Sequence, residues 1–204
     1  MSRDTQGNDW PLFAASDGPT AGRARNRATI GRMDEQRNGV PQVPAPLQEP
    51  FRSALVAAAD AWITALGNRL VSIVLFGSVA RRQAHPTSDI DLVLVADGLP
   101  RRLAERRRPF LESWECARTA RALPPVQWSL IVKSPAEARA RIPLYLDIVE
   151  EGILILDRGG FFEGVLAGMR ARMRELGSRR VFLEDGTWYW DLKPDFRFGE
   201  VVEI

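Results

Sequence analysis

The chain has 204 residues, 45% of them hydrophobic, and its 28 basic and 26 acidic side chains leave a formal net charge of +2. This is enough apolar material for one globular domain, and the balanced charge gives no reason to expect nucleic acid as a partner. One cysteine, Cys116, excludes an internal disulfide, and no stretch approaches the roughly 20 apolar residues that cross a bilayer. With no basic-then-apolar leader at the start, the sequence predicts a cytoplasmic protein without a membrane segment.

Residues 1–45 differ in composition from the rest of the chain. They are polar, rich in Gly, Pro and Arg, and without sustained apolar periodicity. Because such a segment buries too little surface to offset its ordering entropy, we predict a disordered arm. An arginine-bearing arm that touches nucleic acid is the alternative. Met33 stands just before the organised part, so translation from Met33 is a second open alternative.

The first half of the organised region alternates helical and strand patterns. Residues 47–67 predict a helix with one apolar face, followed by strands at 70–76 and 89–95, an arginine-rich helix at 100–122 and a strand at 126–132. The apolar face of the first helix consists of Phe51, Leu55, Ala58, Trp62 and Leu66. Cys116, within the arginine-rich helix, is expected to be packed.

The second half continues with helices and ends in an aromatic tail. Ser134-Pro135-Ala136-Glu137 has the form of a capping box that opens a short helix. A helix at 143–150, a strand at 153–157 and a helix at 160–176 that stops at Gly177 follow. The predicted fold is α/β (α+β): a domain at 46–177 with a small mixed sheet flanked by helices, and a β-rich extension at 178–204 packed on it.

Two aspartates open the second strand. Asp89 and Asp91 are two residues apart, so their side chains point to the same face while Ile90 points to the core. Two carboxylates so close repel each other unless a cation neutralises them. Oxygen ligands at this spacing suit Mg²⁺, which commonly uses one or two carboxylates plus substrate phosphates. The pair therefore predicts a magnesium site.

A Gly-Ser turn closes the preceding strand. Gly77 allows the backbone to turn sharply and to approach a ligand, and the Ser78 hydroxyl and nearby amides can cradle a phosphate. Gly-Ser and Asp-x-Asp are each weak signals alone. Together, ten residues apart and each attached to its own apolar strand, they are informative.

This combination resembles the nucleotidyltransferase superfamily related to DNA polymerase β, in particular its small members. Ala80-Arg81 and Ser88-Asp89 also match the family pattern, and the resemblance covers roughly residues 50–157. It implies that Asp89 and Asp91 bind Mg²⁺ as the catalytic pair and that Gly77 and Ser78 hold the β- and γ-phosphates of a nucleoside triphosphate. The matching Arg81 and Ser88 complete the expected nucleotide-binding set.

The same resemblance implies an activity and a partner. An acceptor hydroxyl attacks the α-phosphorus, pyrophosphate leaves, and the expected reaction is transfer of AMP from ATP. Small members of the superfamily often pair with a HEPN-type toxin and adenylylate it, so a partner protein in a toxin–antitoxin pair is an expected acceptor.

Two positions depart from the family pattern. Arg82 stands where the family has glycine, and the strand at 126–132 has no acid, although family members usually carry a third carboxylate there. Gln127 or Ser129 is expected at that place, and surface charge is the expected role of Glu112 and Glu115. A catalytically weak or inactive module that binds nucleotide or a partner is therefore the alternative function, and nucleic-acid recognition through the arginine-rich helix is a third.

Three other features are open to a functional or a packing role. Asp147 and Glu151 lie four apart on one helical face, and Trp188 and Trp190 alternate on one face of a strand in the tail. His85 is the sole histidine and lies in the loop of the motif.

Overall fold

The structure is a computed structural model that describes residues 39–204, all of which belong to one compact unit. The predicted disordered arm lies outside the described residues up to residue 38, as does Met33. Residues 39–45 contain no helix or strand, and the Gln42 amide donates a hydrogen bond to the Ile155 carbonyl. No helix in the described part of the chain is long and apolar enough to span a membrane.

A four-stranded mixed sheet forms the centre of the domain. Its strands are β1 (Leu70–Phe76), β2 (Ile90–Ala96), β3 (Trp128–Lys133) and β4 (Ile153–Asp157). They lie in the order β3-β2-β1-β4, and only β2 and β3 run parallel. The predicted α/β class with a small mixed sheet is confirmed. The predicted bounds of β1 and β4 are also confirmed.

Helices cover both faces of this sheet. They are α1 (Phe51–Leu66), α2 (Gly77–Ala80), α3 (Leu103–Arg106), α4 (Arg108–Ala120), α5 (Pro135–Arg139), α6 (Leu144–Glu151) and α7 (Phe161–Leu176). The predicted helix at 100–122 is divided at Arg107, two residues before Pro109, which lacks the N–H that would continue the hydrogen-bond ladder.

Two buried clusters lie on the two faces of the sheet. One packs α1 and α4 against β1 and β2, and every predicted apolar residue of α1 is buried in it. Trp62 is at its centre and donates a hydrogen bond from Nε1 to the Phe110 carbonyl over 2.8 Å. The other packs α6 and α7 against Val74, Val93 and Val95. Since side chains alternate along a strand, Asp91 shares the face of Val93 and Val95.

The expectation of a packed Cys116 is wrong, because the thiol is exposed. The buried positions of α4 are Phe110 and Trp114, one turn apart. Cys116 follows Trp114 by two residues, a rotation of about 200° that turns it away from the core.

The predicted capping box is confirmed. The Ser134 hydroxyl accepts a hydrogen bond from the Glu137 amide, and the Glu137 carboxylate accepts one from the Ser134 amide. The same carboxylate forms a two-bond ion pair with the buried Arg106, at 2.6 and 3.0 Å. These contacts lower the pKa of Glu137 to about 2, chiefly through the hydrogen bonds from Arg106. Glu137 thus ties α5 to α3.

The tail forms a separate antiparallel hairpin of β5 (Arg179–Phe182) and β6 (Trp188–Asp191). It begins directly after α7, which ends at Gly177 in the left-handed conformation, as the sequence predicts. The Trp190 indole donates a hydrogen bond to the Asp147 carboxylate of α6 over 2.9 Å, and this contact brings the hairpin against the domain.

Candidate functional site

The β1–β2 hairpin brings the two halves of the sequence motif together. Phe76, the last residue of β1, pairs with Asp91 in the antiparallel ladder, so the turn that starts at Gly77 lies beside the acid pair. Gly77 has a φ of +73°, which side-chain-bearing residues rarely adopt. A Cβ at this position would collide with the Asp91 carboxylate. Glycine is therefore required here both by its backbone conformation and by the carboxylate that occupies the space.

The two aspartates have different surroundings. Asp89 is exposed and immediately precedes β2, whereas Asp91 lies within β2 and is half-buried. Burial raises the pKa of Asp91, and the neighbouring negative charge of Asp89 raises it further. Hydrogen bonding from the Ser129 side chain and the positive charge of Arg81 act in the opposite direction. A half-buried acid beside a second acid is the electrostatic situation that a bound cation relieves.

Ser129 of β3 is the neighbour of Asp91 on the strand where the sequence resemblance leads us to expect a third carboxylate. The parallel ladder pairs Asp91 with Ser129, while Gln127 precedes β3 and accepts a backbone hydrogen bond from the Ile90 amide. Of the two candidates that the sequence left open, Ser129 is therefore the neighbour of Asp91. In residues 39–204 no group of three or more His, Cys, Asp or Glu side chains is arranged to hold a metal ion.

Glu112 and Glu115 do not take the place of the missing acid. Both are exposed on α4, where Glu112 pairs with Arg108 at 2.7 Å and Glu115 pairs with Arg118 at 2.8 Å. They contribute surface ion pairs, as the sequence suggested.

Arg81 lies at the end of the Gly-Ser turn and is held by two parts of the chain. Its guanidinium forms an ion pair with Glu151 of α6 at 3.0 Å and lies 5.5 Å from the ring centroid of Trp188. Its amide donates to the Gly77 carbonyl over 3.1 Å, which closes the turn. Arg81 thus connects the turn beside Asp91 to α6 and to the C-terminal hairpin.

Arg180 of β5 completes this network. It forms ion pairs with Glu151 at 2.5 Å and with Asp147 at 3.3 Å. Its guanidinium lies 5.0 Å from the ring centroid of Trp188 and 5.1 Å from that of Trp190. The helical spacing of Asp147 and Glu151 and the alternation of the two tryptophans are visible in the sequence. The convergence of the two carboxylates on Arg81 and Arg180 is not, because about 30 to 70 residues separate each acid from its arginine.

The remaining motif residues lie in the loop before β2. The Ser88 hydroxyl accepts a hydrogen bond from the His85 amide over 2.9 Å, and the Ser88 amide donates to the His85 carbonyl over 2.8 Å. His85 is exposed, and its ring contacts the Thr87 hydroxyl. Ser88 therefore shapes the loop that delivers Asp89, and Ser78 is half-buried at the turn next to Gly77.

Comparison with known proteins supports the class that this arrangement suggests. Residues 63–155 match the family model of the nucleotidyltransferase domain, a range that includes β1, the Gly-Ser turn and both aspartates. The resemblance predicted from the motif is confirmed for this part of the chain by its match to the nucleotidyltransferase domain.

More distant similarities are local or low. A protein of Methanocaldococcus jannaschii named "Putative protein adenylyltransferase" is 48% identical over 42 residues, which make up 21% of this chain and 29% of that protein. The structure of a toxin–antitoxin with AMP-PNP is 16% identical with a TM-score of 0.38, and covers 61% of this chain and 91% of its own. A "putative nucleotidyltransferase from Sulfolobus solfataricus" is 20% identical with a TM-score of 0.29, and the match covers 50% of this chain and 88% of that protein.

Proposed function

We propose that this protein is a Mg²⁺-dependent nucleotidyltransferase that transfers AMP from ATP to a hydroxyl group of a partner protein. The observation that carries the proposal is the contact between Gly77 and the Asp91 carboxylate, with Asp89 two residues away. It places a turn suited to phosphate beside a pair of acids suited to a divalent cation. The nucleotidyltransferase domain at residues 63–155 supports the same activity.

The donor set fits magnesium. Carboxylate oxygens are hard ligands, and Asp91 has its carboxylate fixed at the edge of the turn by the strand ladder. We assign Asp89 and Asp91 as the protein ligands, with the substrate phosphates supplying further oxygens. When bound, the ion neutralises the negative charge of the phosphates and orients the α-phosphate for in-line displacement.

The chain's own residues bind and orient the nucleotide in this proposal. The Gly77 backbone and the Ser78 hydroxyl contact the β- and γ-phosphates, and Arg81 supplies a positive charge that Glu151 and Trp188 hold in position. Ser88 keeps the loop in the shape that presents Asp89. The acceptor hydroxyl oxygen forms a bond to the α-phosphorus and its proton passes to solvent, while the bond from the α-phosphorus to the α,β-bridging oxygen breaks and pyrophosphate leaves.

The proposed acceptor is a protein hydroxyl, for two reasons. The 42-residue match is to a protein whose name describes protein adenylylation. The resemblance of the motif to small nucleotidyltransferases also implies a HEPN-type partner in a toxin–antitoxin pair.

One observation favours a second function, a module that binds nucleotide without transferring it. Ser129 stands beside Asp91 where a third carboxylate is expected, and a serine hydroxyl is a weaker metal ligand and a poorer base than a carboxylate. Such a site binds Mg²⁺ and ATP and leaves the acceptor hydroxyl without activation.

The deciding experiment follows label from ATP to protein. Full-length protein is incubated with Mg²⁺, α-labelled ATP and a lysate of the source cell, beside the double variant Asp89→Asn, Asp91→Asn. The matched control is Asp60→Asn, Asp195→Asn, which removes two exposed carboxylates away from the motif. Transfer by the native chain and the control, abolished in the motif variant, supports the enzyme. Mg²⁺-dependent ATP binding without transfer supports the module.

A further variant separates a slow enzyme from a binder. Ser129→Asp places a carboxylate at the register position beside Asp91. If the native site transfers slowly for want of a third acid, this variant transfers faster at saturating Mg²⁺, and Ser129→Asn, of nearly the same size, does not. An unchanged rate in both variants contradicts the view that the third acid limits the reaction.

A further inference from the structure

A cavity of about 730 Å³ opens at the end of the sheet opposite to the candidate active site. Val71, near the start of β1, and Asp97, just after β2, line it, whereas Gly77 and Asp91 lie at the other end of the same strands. Six residues of strand separate Val71 from Gly77, which is about 20 Å at 3.3 Å per residue. The cavity is therefore a separate site, and its volume is in the range of pockets that hold small ligands.

Three arginines give this cavity its charge. Arg139 is the last residue of α5, Arg141 lies two residues beyond it, and Arg158 directly follows β4. Asp97 is the acidic residue of the lining, so the three arginines and this one carboxylate give the lining a formal charge of +2. No ion pair of the described residues includes any of these three arginines, although nine other arginines have carboxylate partners.

Two of the guanidinium groups are already held in place. Arg158 donates from Nε to the Leu70 carbonyl over 2.9 Å and from Nη1 to the Asn68 side-chain oxygen over 3.5 Å, and Arg139 lies 4.8 Å above the ring centroid of Phe161. None of these contacts neutralises the positive charge. A guanidinium that is already held in place and has no carboxylate partner is preorganised to bind an anion, because its side chain loses less conformational entropy when the anion binds.

The wall formed by α7 leaves room for a ligand. Gly164 and Gly168 are one turn apart on this helix and both line the cavity. A Cβ at Gly164 would meet no atom within 4 Å, and one at Gly168 would meet the Arg141 guanidinium at 3.7 Å. The first amides of α7 are bonded to the Asp157 carboxylate, at 2.8 and 2.9 Å, so the arginines and not the helix end supply the attraction.

We propose that this arginine cavity binds a small phosphorylated ligand that carries at least two negative charges. Guanidinium groups match phosphate oxygens in geometry and charge, and three of them around one cavity match a diphosphate group better than a single carboxylate. Such a group occurs free as pyrophosphate and as part of a nucleotide. The inference does not depend on the proposed transferase activity, since the two sites are at opposite ends of the sheet.

The test measures binding of inorganic phosphate, pyrophosphate and ATP to the full chain by calorimetry without magnesium. Saturable binding of pyrophosphate at one site is expected, and equal or tighter binding of ATP identifies the nucleotide as the source of the phosphates. The variant Arg139→Ser, Arg141→Ser is expected to weaken binding by about tenfold or more, because each lost contact is a charge-assisted hydrogen bond. The control Arg101→Ser, Arg107→Ser removes two other exposed arginines and should bind as the native chain does.

A steric variant tests the cavity without changing its charge. Gly164→Leu fills open space from a helical position where glycine is unfavourable, so the fold is retained while the ligand is excluded. Weaker binding in this variant supports the cavity. The proposal is overturned if no probe binds, if the control loses as much affinity as the arginine variant, or if binding disappears in Asp89→Asn, Asp91→Asn.

Discussion

Gly77 is constrained both by its positive φ angle and by the Asp91 carboxylate beside it. Gly67 shares only the first constraint, so a comparison of the two glycines separates the two effects. Both Gly77 and Gly67 have positive φ angles, of +73° and +57°, but a Cβ at Gly67 would meet nothing within 4 Å. Gly77→Ala is therefore expected to lower the free energy of unfolding by about 1–2 kcal/mol more than Gly67→Ala, since only it displaces the Asp91 carboxylate. Urea unfolding of both variants measures the difference. Equal losses would mean that Asp91 moves aside without cost.

The titration of Asp91 reports the electrostatics of the site before any cation binds. Its pKa is raised by burial and by Asp89, and it is lowered by Ser129 and Arg81. We expect Asp89→Asn to lower the pKa of Asp91 and Ser129→Ala to raise it. Carboxyl carbon NMR of the metal-free protein measures both. Shifts of the same sign in the two variants would contradict the arrangement.

At the scale of elements, Glu151 connects the candidate site to the C-terminal hairpin of β5 and β6. Its carboxylate is largely buried between Arg81 and Arg180, whereas its neighbour Glu150 is exposed. Glu151→Gln should lower the free energy of unfolding by about 2 kcal/mol, because Arg81 loses its carboxylate partner and Arg180 keeps only Asp147. Glu150→Gln is the control, and no change is expected there.

The same pair of variants shows whether Glu151 acts on the nucleotide. If it positions Arg81, Glu151→Gln weakens ATP binding severalfold under conditions in which the variant remains folded. Unchanged ATP affinity would leave Glu151 with a purely structural role and would remove Arg81 from the proposed nucleotide contacts.

Glu137 gives the contact between α5 and α3 a pH dependence. Its pKa falls from the ordinary 4.5 to about 2 in the folded state. Because the pKa of Glu137 is lower in the folded state than in the unfolded state, its carboxylate stabilises the fold at pH values above about 4.5. This contribution is lost as the pH falls from about 4.5 to about 2. Glu137→Gln should lower stability by about 1 kcal/mol at pH 7, where the buried Arg106 loses a partner whose side chain is 43% exposed and therefore screened by solvent, and should flatten the decline below pH 4.5.

Glu112→Gln is the matched control for this loss. It also removes one carboxylate from an arginine pair, but both partners are exposed, and the expected loss is below about 0.5 kcal/mol. Urea unfolding at pH 7, 4.5 and 3 compares the three proteins. A parallel decline in all three would assign the acid sensitivity to other groups.

At the scale of the whole molecule, one sheet separates two clusters that should unfold together. Phe162 is fully buried on the α7 side, in edge-to-face contact with Tyr145, while Trp128 contacts both Trp62 and Trp114 on the opposite side. Phe162→Leu should lower stability by about 1–2 kcal/mol and shift the unfolding of the distant tryptophans equally. Fluorine NMR of fluorotryptophan-labelled protein resolves them, and an unshifted tryptophan transition would indicate two independent units.

Local patterns made much of this architecture predictable from the sequence. The β-branched run of β1, the apolar face of α1 and the capping box at Ser134 depend on neighbouring residues, and the structure confirms them. The choice between Gln127 and Ser129 was not predictable, since it depends on the register of β3 against β2. The meeting of Arg81 with Glu151 and Trp188 depends on contacts between distant segments, which no local pattern encodes.

The hairpin that carries the candidate site has a consequence for how the protein is made. Every motif residue lies between Leu70 and Ala96, and the two strands pair as neighbours in sequence. Contacts between nearby residues close early in folding because their loop costs little entropy. The register that sets Gly77 against Asp91 is thus available once residue 96 has left the ribosome, whereas Glu151 and Arg180, which fix Arg81, are synthesised later. A truncated nascent chain would hold the turn and both acids before it could hold the arginine.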